Sequence, residues 1–236
     1  MSGLPIIDQK LYKHKLHGLG KTVQYRPFTN KEQKILLMAA EESETSNKYD
    51  AIAQIITNCT LGKVAVEKLA MFDLLDLFIR IRQVSVGEKI NLQLSVDDPE
   101  TGKTKFYSSE VDLNQVKVEV PEGHTDTFML NETYGIKMRY PTFEMSMDVN
   151  EESIIADRDI ILNCIEYVYD KDGNVFDSFT KEELEAFYDS LDFMMNAKII
   201  NFFKTLPDIQ VEVEVETENG EKLKKIVKGI DGFFPY

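Results

Sequence analysis

Apolar residues recur along this chain with two periods. Ile52, Ile55, Ile56 and Cys59 fall at i, i+3, i+4 and i+7, the stripe of an amphipathic helix. Ile161, Cys164, Ile165 and Val168 repeat that phase and predict a helix over 157–168. The run from about Val64 to Val84 predicts another, with Leu69, Phe72, Leu75, Phe78 and Ile79 turned inward. Elsewhere the period is two. Ile90, Leu92, Leu94 and Val96 alternate with polar neighbours, and so do Ile209, Val211, Val213 and Val215; each set predicts a half-buried strand. The later strand carries Glu212, Glu214 and Glu216 on its other face. After a turn near Asn219-Gly220 the return strand carries Lys222, Lys224, Lys225 and Lys228. Glu facing Lys reads either as a solvated ion-paired face or as a sheet edge kept in solution by charge until a partner pairs with it.

Local signals place the boundaries. Lys21 to Phe28 is a strand ended by Pro27. Thr29-Asn30-Lys31-Glu32 is a capping box that opens a helix with Ile35, Leu36, Met38 and Ala39 on one face. Glu41 to Asp50 is polar and reads as a loop, and Gly62 ends the helix that follows it. Tyr167-Val168-Tyr169 and Val175-Phe176 flank an Asp-Gly turn and can form a small hairpin. Thr180-Lys181-Glu182-Glu183 is a second capping box, opening a long helix that ends near Leu206-Pro207.

These elements recur in order. Tyr25-Arg26-Pro27-Phe28-Thr29 is echoed by Arg139-Tyr140-Pro141-Thr142-Phe143, and Ile55-Ile56-Thr57-Asn58-Cys59 by Ile160-Ile161-Leu162-Asn163-Cys164. Met71 to Phe78 is matched more loosely by Phe187 to Met194, and an alternating hairpin closes each half. The offsets between matched positions run from 105 to 116 residues, so a duplication requires loop insertions. The expected fold class is α+β: two similar units, 1–120 and 121–236, each a small helical cluster followed by an antiparallel β-hairpin. The boundary is expected within Glu119–Thr127, where Pro121 and Gly123 cluster.

Charge narrows the partners. The 236 residues hold 27 Lys+Arg against 41 Asp+Glu, a net charge of −14, which disfavours nucleic acid and anionic membrane. No stretch approaches the ~20 apolar residues of a membrane span. The N-terminus lacks the pattern of a signal peptide, so a cytoplasmic location where the chain is made is expected. Two cysteines, Cys59 and Cys164, cannot build a disulfide framework or a four-thiolate zinc site, and both lie in apolar helical patterns, as buried free thiols do.

Candidate chemistry is sparse. Asp170-Lys171-Asp172-Gly173-Asn174 opens like a calcium loop but has its glycine at the fourth place and Lys181 at the twelfth, so it reads as a turn. His14, His17 and His124 read as surface histidines. Gly18-Leu19-Gly20-Lys21-Thr22 lacks the upstream glycine of a phosphate loop and reads as a hairpin turn. No catalytic, cofactor-binding or metal-binding residue is expected, and no cofactor; an enzyme is the weakest of the readings. Its signature would be a cleft lined by Asp, His and Arg from both halves. Arg26, Arg80, Arg82 and Arg139 read as buried pairs with Asp or Glu, or as contacts to another protein.

Several segments together resemble the baseplate hub assembly protein family of T4-like tailed bacteriophages. They are Leu4-Pro5-Ile6-Ile7, the run from Tyr25 to Leu37, and Arg80 to Glu88 in the first half. The second half adds Phe179 to Leu184, Asn201 to Pro207, and Gly229-Ile230-Asp231-Gly232-Phe233-Phe234. The resemblance spans nearly the whole chain, and it is the ordered set that carries it. It implies a non-enzymatic role in assembling the baseplate central hub, as a transient factor or lasting component, by binding other hub and tail proteins. The place implied is the host cytoplasm during virion assembly, or the virion tail baseplate. Related hairpins carry CxxC-like knuckles; the two here have no cysteine, so no zinc is expected. The candidate anchors for a partner are Leu4, Ile6 and Ile7 at one end and Ile230, Phe233, Phe234 and Tyr236 at the other; the same aromatics could dock on their own domain. A different reading of the acidic two-unit architecture is an adaptor or chaperone unrelated to phage tails. Oligomeric state is not legible.

Overall fold

A computed structural model describes residues 4, 7–41, 45–97, 104–146, 157–216 and 222–228. Contacts divide the chain into two units, Met1–Glu119 with Asp208–Tyr236, and Val120–Pro207. Among the described residues all sheet pairings are antiparallel, so the architecture there is mixed helix and sheet without a parallel βαβ layer.

The first unit begins with hairpin β1 (Tyr12–Lys15) and β2 (Thr22–Tyr25), followed by helices α1 (Asn30–Ala40) and α2 (Thr45–Cys59). The expected loop over 41–50 is therefore shorter, since its second half is already helical. Thr29 caps α1 as its capping box predicts, with Glu32 reaching back to the Thr29 amide at 2.9 Å. Leu61 and Gly62 turn the chain out of α2 with positive φ, and the Gly62 amide closes the helix by donating to the Thr57 carbonyl.

Helix α3 (Met71–Val86) follows a 3-10 turn over Val66–Lys68, so the predicted 64–84 helix starts later than expected. Leu69, Phe72, Leu75, Phe78 and Ile79 are buried as expected, but so are Leu74, Leu77 and Ile81, and even Asp73, Asp76 and Arg82. A helix covered on nearly every side must satisfy its charges internally. Asp73 accepts the Gly18 amide at 2.9 Å and the Leu19 amide at 2.7 Å, which ties the β1–β2 turn to the helix. The glycine-rich turn thus serves a carboxylate of its own chain. Burial raises the Asp73 carboxyl, and these two amides oppose the rise. Asp76 meets His14 Nε2 at 2.6 Å and Arg80 Nε at 3.0 Å. Arg80 goes on to donate to the Leu113 and Val116 carbonyls. His14 is thereby a half-buried partner of Asp76, not the surface histidine expected, because β1 is drawn onto α3.

After α3 come hairpin β3 (Lys89–Asp97) and β4 (Thr104–Asp112), then the short β5 (Lys117–Glu119). The second unit holds β6 (Thr127–Met129), β7 (Tyr134–Met138), α4 (Phe143–Ser146), α5 (Arg158–Cys164), β8 (Ile165–Asp170), β9 (Val175–Phe176), α6 (Lys181–Asp189) and α7 (Phe193–Lys204). Its sheet runs β6-β7-β8-β9. The expected helix over 157–168 stops at Cys164: the branched and aromatic run from Ile165 to Tyr169 pairs with β7, and β7–β8 pairing outweighs the helical stripe. The expected long helix from Thr180 breaks at Ser190, and Asp192 caps a new one by accepting the Met195 amide at 2.8 Å. The chain then returns to the first unit with β10 (Asp208–Glu216) and β11 (Lys222–Lys228).

That return changes the domain picture. The expected units were 1–120 and 121–236; contacts instead group Asp208–Tyr236 with Met1–Glu119. The cause is pairing and burial. Ile209 lies opposite Val118 of β5, and Ile209, Val211, Val213 and Val215 are buried. The outer face carries Lys224–Glu212 at 2.6 Å and Lys222–Glu214 at 3.3 Å, exposed pairs of the kind worth little. The duplication expected from the sequence is not confirmed, though one contact recurs. In each unit the residue after a strand donates its amide to the cysteine carbonyl that ends a helix, Arg26 to Cys59 at 3.0 Å and Arg139 to Cys164 at 2.7 Å. The looser match fails: Asp76 lies buried inside α3, whereas its counterpart Asp192 is a cap.

Two outcomes follow for stability. Asp73→Ala strands the Gly18 and Leu19 amides and is expected to cost about 2–3 kcal/mol in urea unfolding, with faster hydrogen exchange at both amides. Glu32 supplies the second. Burial alone would raise its carboxyl, but Arg26 and the Thr29 amide and hydroxyl outweigh that and hold it at about 2. Its contribution is present above pH 4.5 and lost as pH falls toward 2. Glu32→Gln should therefore lose about 2–3 kcal/mol at pH 7, and the gap to the wild type should close over that acid window.

Candidate partner-binding surface

The second unit packs α5, α6 and α7 against its four-stranded sheet. Ile136 and Met138 of β7, Ile165 and Val168 of β8, Ile160, Ile161 and Cys164 of α5, and Ile199, Phe202 and Phe203 of α7 form one buried cluster. Burial pushes the Cys164 thiol up to about 12, and the Cys59 thiol likewise; the nearby Arg139 and Arg26 oppose that rise only in part. Both cysteines are free and buried, as their helical patterns predicted. His124 stacks on Tyr140 and Phe202, and its Nδ1 lies 2.9 Å from the Thr205 hydroxyl. All three histidines are thus in contact with neighbours, His17 edge-on to Phe72.

The packing stops short on one side and leaves an apolar groove. It is a cavity of about 540 Å³ walled by Leu130, Tyr134 and Val168 from the sheet side and by Leu184, Phe187 and Met195 from the helices. Phe176 of β9 and Phe179 of the following loop line it too, as does Leu191 in the break between α6 and α7. Asn131 and Glu183 at its wall are already engaged within the unit. Asn131 Oδ1 accepts the Thr133 and Tyr134 amides at 2.8 Å, and Glu183 accepts the Thr180 amide at 2.8 Å in the second capping box. What the groove offers is apolar contact. Beside it the surface stays apolar: Val175 and Phe176 are half exposed, and Phe193 and Met194, which open α7, are 83% and 69% exposed. Asp170 of the β8–β9 turn has its carboxylate filled by the Asp172 and Asn174 amides and the Asn174 side chain, as a turn residue does.

Over residues 9–235 the sequence matches the model of one protein family, described as T4 bacteriophage base plate protein. The chain belongs to this family. No curated protein and no solved structure matches it. Its role is therefore in the phage baseplate, a part of the virion, among other tail proteins; an adaptor unrelated to phage tails is set aside. Among the described residues no helix is long and apolar enough to cross a membrane.

Of the anchors expected from the sequence of this baseplate protein, Leu4 and Ile7 are 95% and 80% exposed. Ile6, Ile230, Phe233, Phe234 and Tyr236 lie outside the described residues. Arg26 and Arg80 form the internal pairs expected of them, with Glu32 and Asp76. The sequence reading missed the groove. In the loose match to Met71–Phe78, Phe193 and Met194 stand opposite Leu77 and Phe78, which are buried in α3, whereas they themselves are exposed. The available signal was Asp192: as a cap it places the next residues on the first turn of a new helix, where they are easily left outside. Because the fold leaves them bare, Phe193→Ser and Met194→Ser should leave thermal and urea unfolding within about 0.5 kcal/mol of wild type.

Proposed function

We propose that this baseplate protein acts in building the central hub of the baseplate by binding other hub and tail proteins, and that it does so without catalysing a reaction. It works as an assembly factor or a hub component, in the cytoplasm of the infected host. The observation that carries this reading is the apolar groove of the second unit. It lies in a member of the baseplate family, with bare aromatic and methionine side chains beside it and with Asn131 and Glu183 at its wall already engaged within the unit. Apolar anchors set in a polar surface are the usual core of a protein interface.

Co-expression with the tail genes flanking its own tests this. The tagged protein should bring down a hub or tail-length-determining protein at fixed stoichiometry in native mass spectrometry. Recovery of the tagged protein alone, with every flanking product soluble and present, would refute the hub reading.

A further inference from the structure

The charge of the chain is not shared evenly. Residues 120–207 hold 18 of the 41 Asp+Glu but only 7 of the 27 Lys+Arg, so this unit carries −11 of the total −14. Three of the seven cations of this unit are engaged within it. Arg158 pairs with Asp189 at 2.9 Å, Lys181 lies 3.7 Å from both Asp159 and Glu185, and Lys198 donates to the Met129 and Leu130 carbonyls at 2.8 Å. The carboxylates follow the groove wall in sequence. Glu183 lines it, Glu182 precedes Glu183, Asp177 follows Phe176, and Asp192 follows Leu191. All four are exposed.

We infer that this groove takes an amphipathic segment of a tail-protein partner, its apolar side chains in the groove and its lysines or arginines against the acidic rim. The inference deepens the hub reading and rests on it. An apolar groove selects for a run of apolar side chains on one face. An acidic rim on a unit of −11 net charge rejects an acidic segment, including a second copy of this unit, and speeds the encounter with a basic one. The volume is in the range of roughly 300–1,000 Å³ that buries a ligand.

The chain has no tryptophan, so a tryptophan on a probe peptide reports binding alone. The probe is a Leu/Lys amphipathic helix of about 18 residues, five turns, with one tryptophan on its apolar face. It is compared with its Leu/Glu counterpart and with a permuted Leu/Lys peptide that has no apolar face. The full chain should bind the Leu/Lys helix saturably at one to one with a blue-shifted emission, and more weakly as salt rises. Phe176→Ser and Tyr134→Ser, both at half-exposed positions, should each weaken it roughly tenfold while circular dichroism stays unchanged. Equal binding of the permuted peptide would reduce the effect to charge, equal binding of the Leu/Glu helix would reduce it to apolar contact, and wild-type affinity in both variants would move it off the groove; each overturns the inference. So would a native-mass dimer that the variants dissolve, which would make a second copy the occupant. If the peptide fails while the co-purification succeeds, the groove assignment falls and the hub reading stands.

Discussion

Helix α3 takes Asp73 and Asp76 into the interior of the first unit, and much of that unit is arranged around keeping them satisfied. Buried carboxylates without partners cost several kcal/mol each. The partners come from distant parts of the chain: two amides of the β1–β2 turn, the His14 ring, and Arg80 one turn along the same helix. Arg80 extends the network to the carbonyls of Leu113 and Val116, which fixes the segment leading into β5. Strand β5 then gives β10 its edge, so the returning hairpin docks where that network has placed it. The N-terminal hairpin, the central helix and the C-terminal hairpin therefore depend on one set of polar contacts as much as on the apolar residues around them.

The β3–β4 and β10–β11 hairpins of the first unit meet through polar contacts. The Ser109 hydroxyl donates to the Glu214 carbonyl at 2.9 Å, and Lys225 donates to the Ser95 carbonyl. Lysine and glutamate alternate along the outer face of β10–β11, which guards an edge against unwanted pairing. The second unit solves a different problem. Four short strands and three short helices close a core around Ile136, Ile199 and Phe202, but the break at Ser190–Asp192 and the two-residue strand β9 leave apolar wall uncovered. The same unit holds most of the excess negative charge. Apolar contact and charge thus sit together, the combination expected of a surface that chooses its partner.

Local features were legible because short-range chemistry dictates them. Both capping boxes form as their spacing requires, Gly62 ends α2, and the Ile52 to Cys59 stripe is buried. The alternation of Ile209 to Val215 marks a strand with one face inside. The errors arose where two patterns competed. Ile161, Cys164, Ile165 and Val168 satisfy a helical period, yet Ile165 to Asp170 finds a partner strand in β7 and leaves the helix. The groove was hidden for a similar reason: its residues come from three strands, two helices and three loops, and no period joins them.

By itself the sequence determined most element types, the two capping boxes, the acidic balance and the membership of a baseplate family, since each of these depends on neighbouring residues or on an ordered set of short segments. Only the tertiary structure decided where the last hairpin belongs, which carboxylates are buried, and where apolar surface is left bare. Strand pairing and burial are settled between residues far apart in the chain. Ile209 is an alternating strand residue wherever it is read, but it is the presence of Val118 opposite it that assigns 208–236 to the first unit.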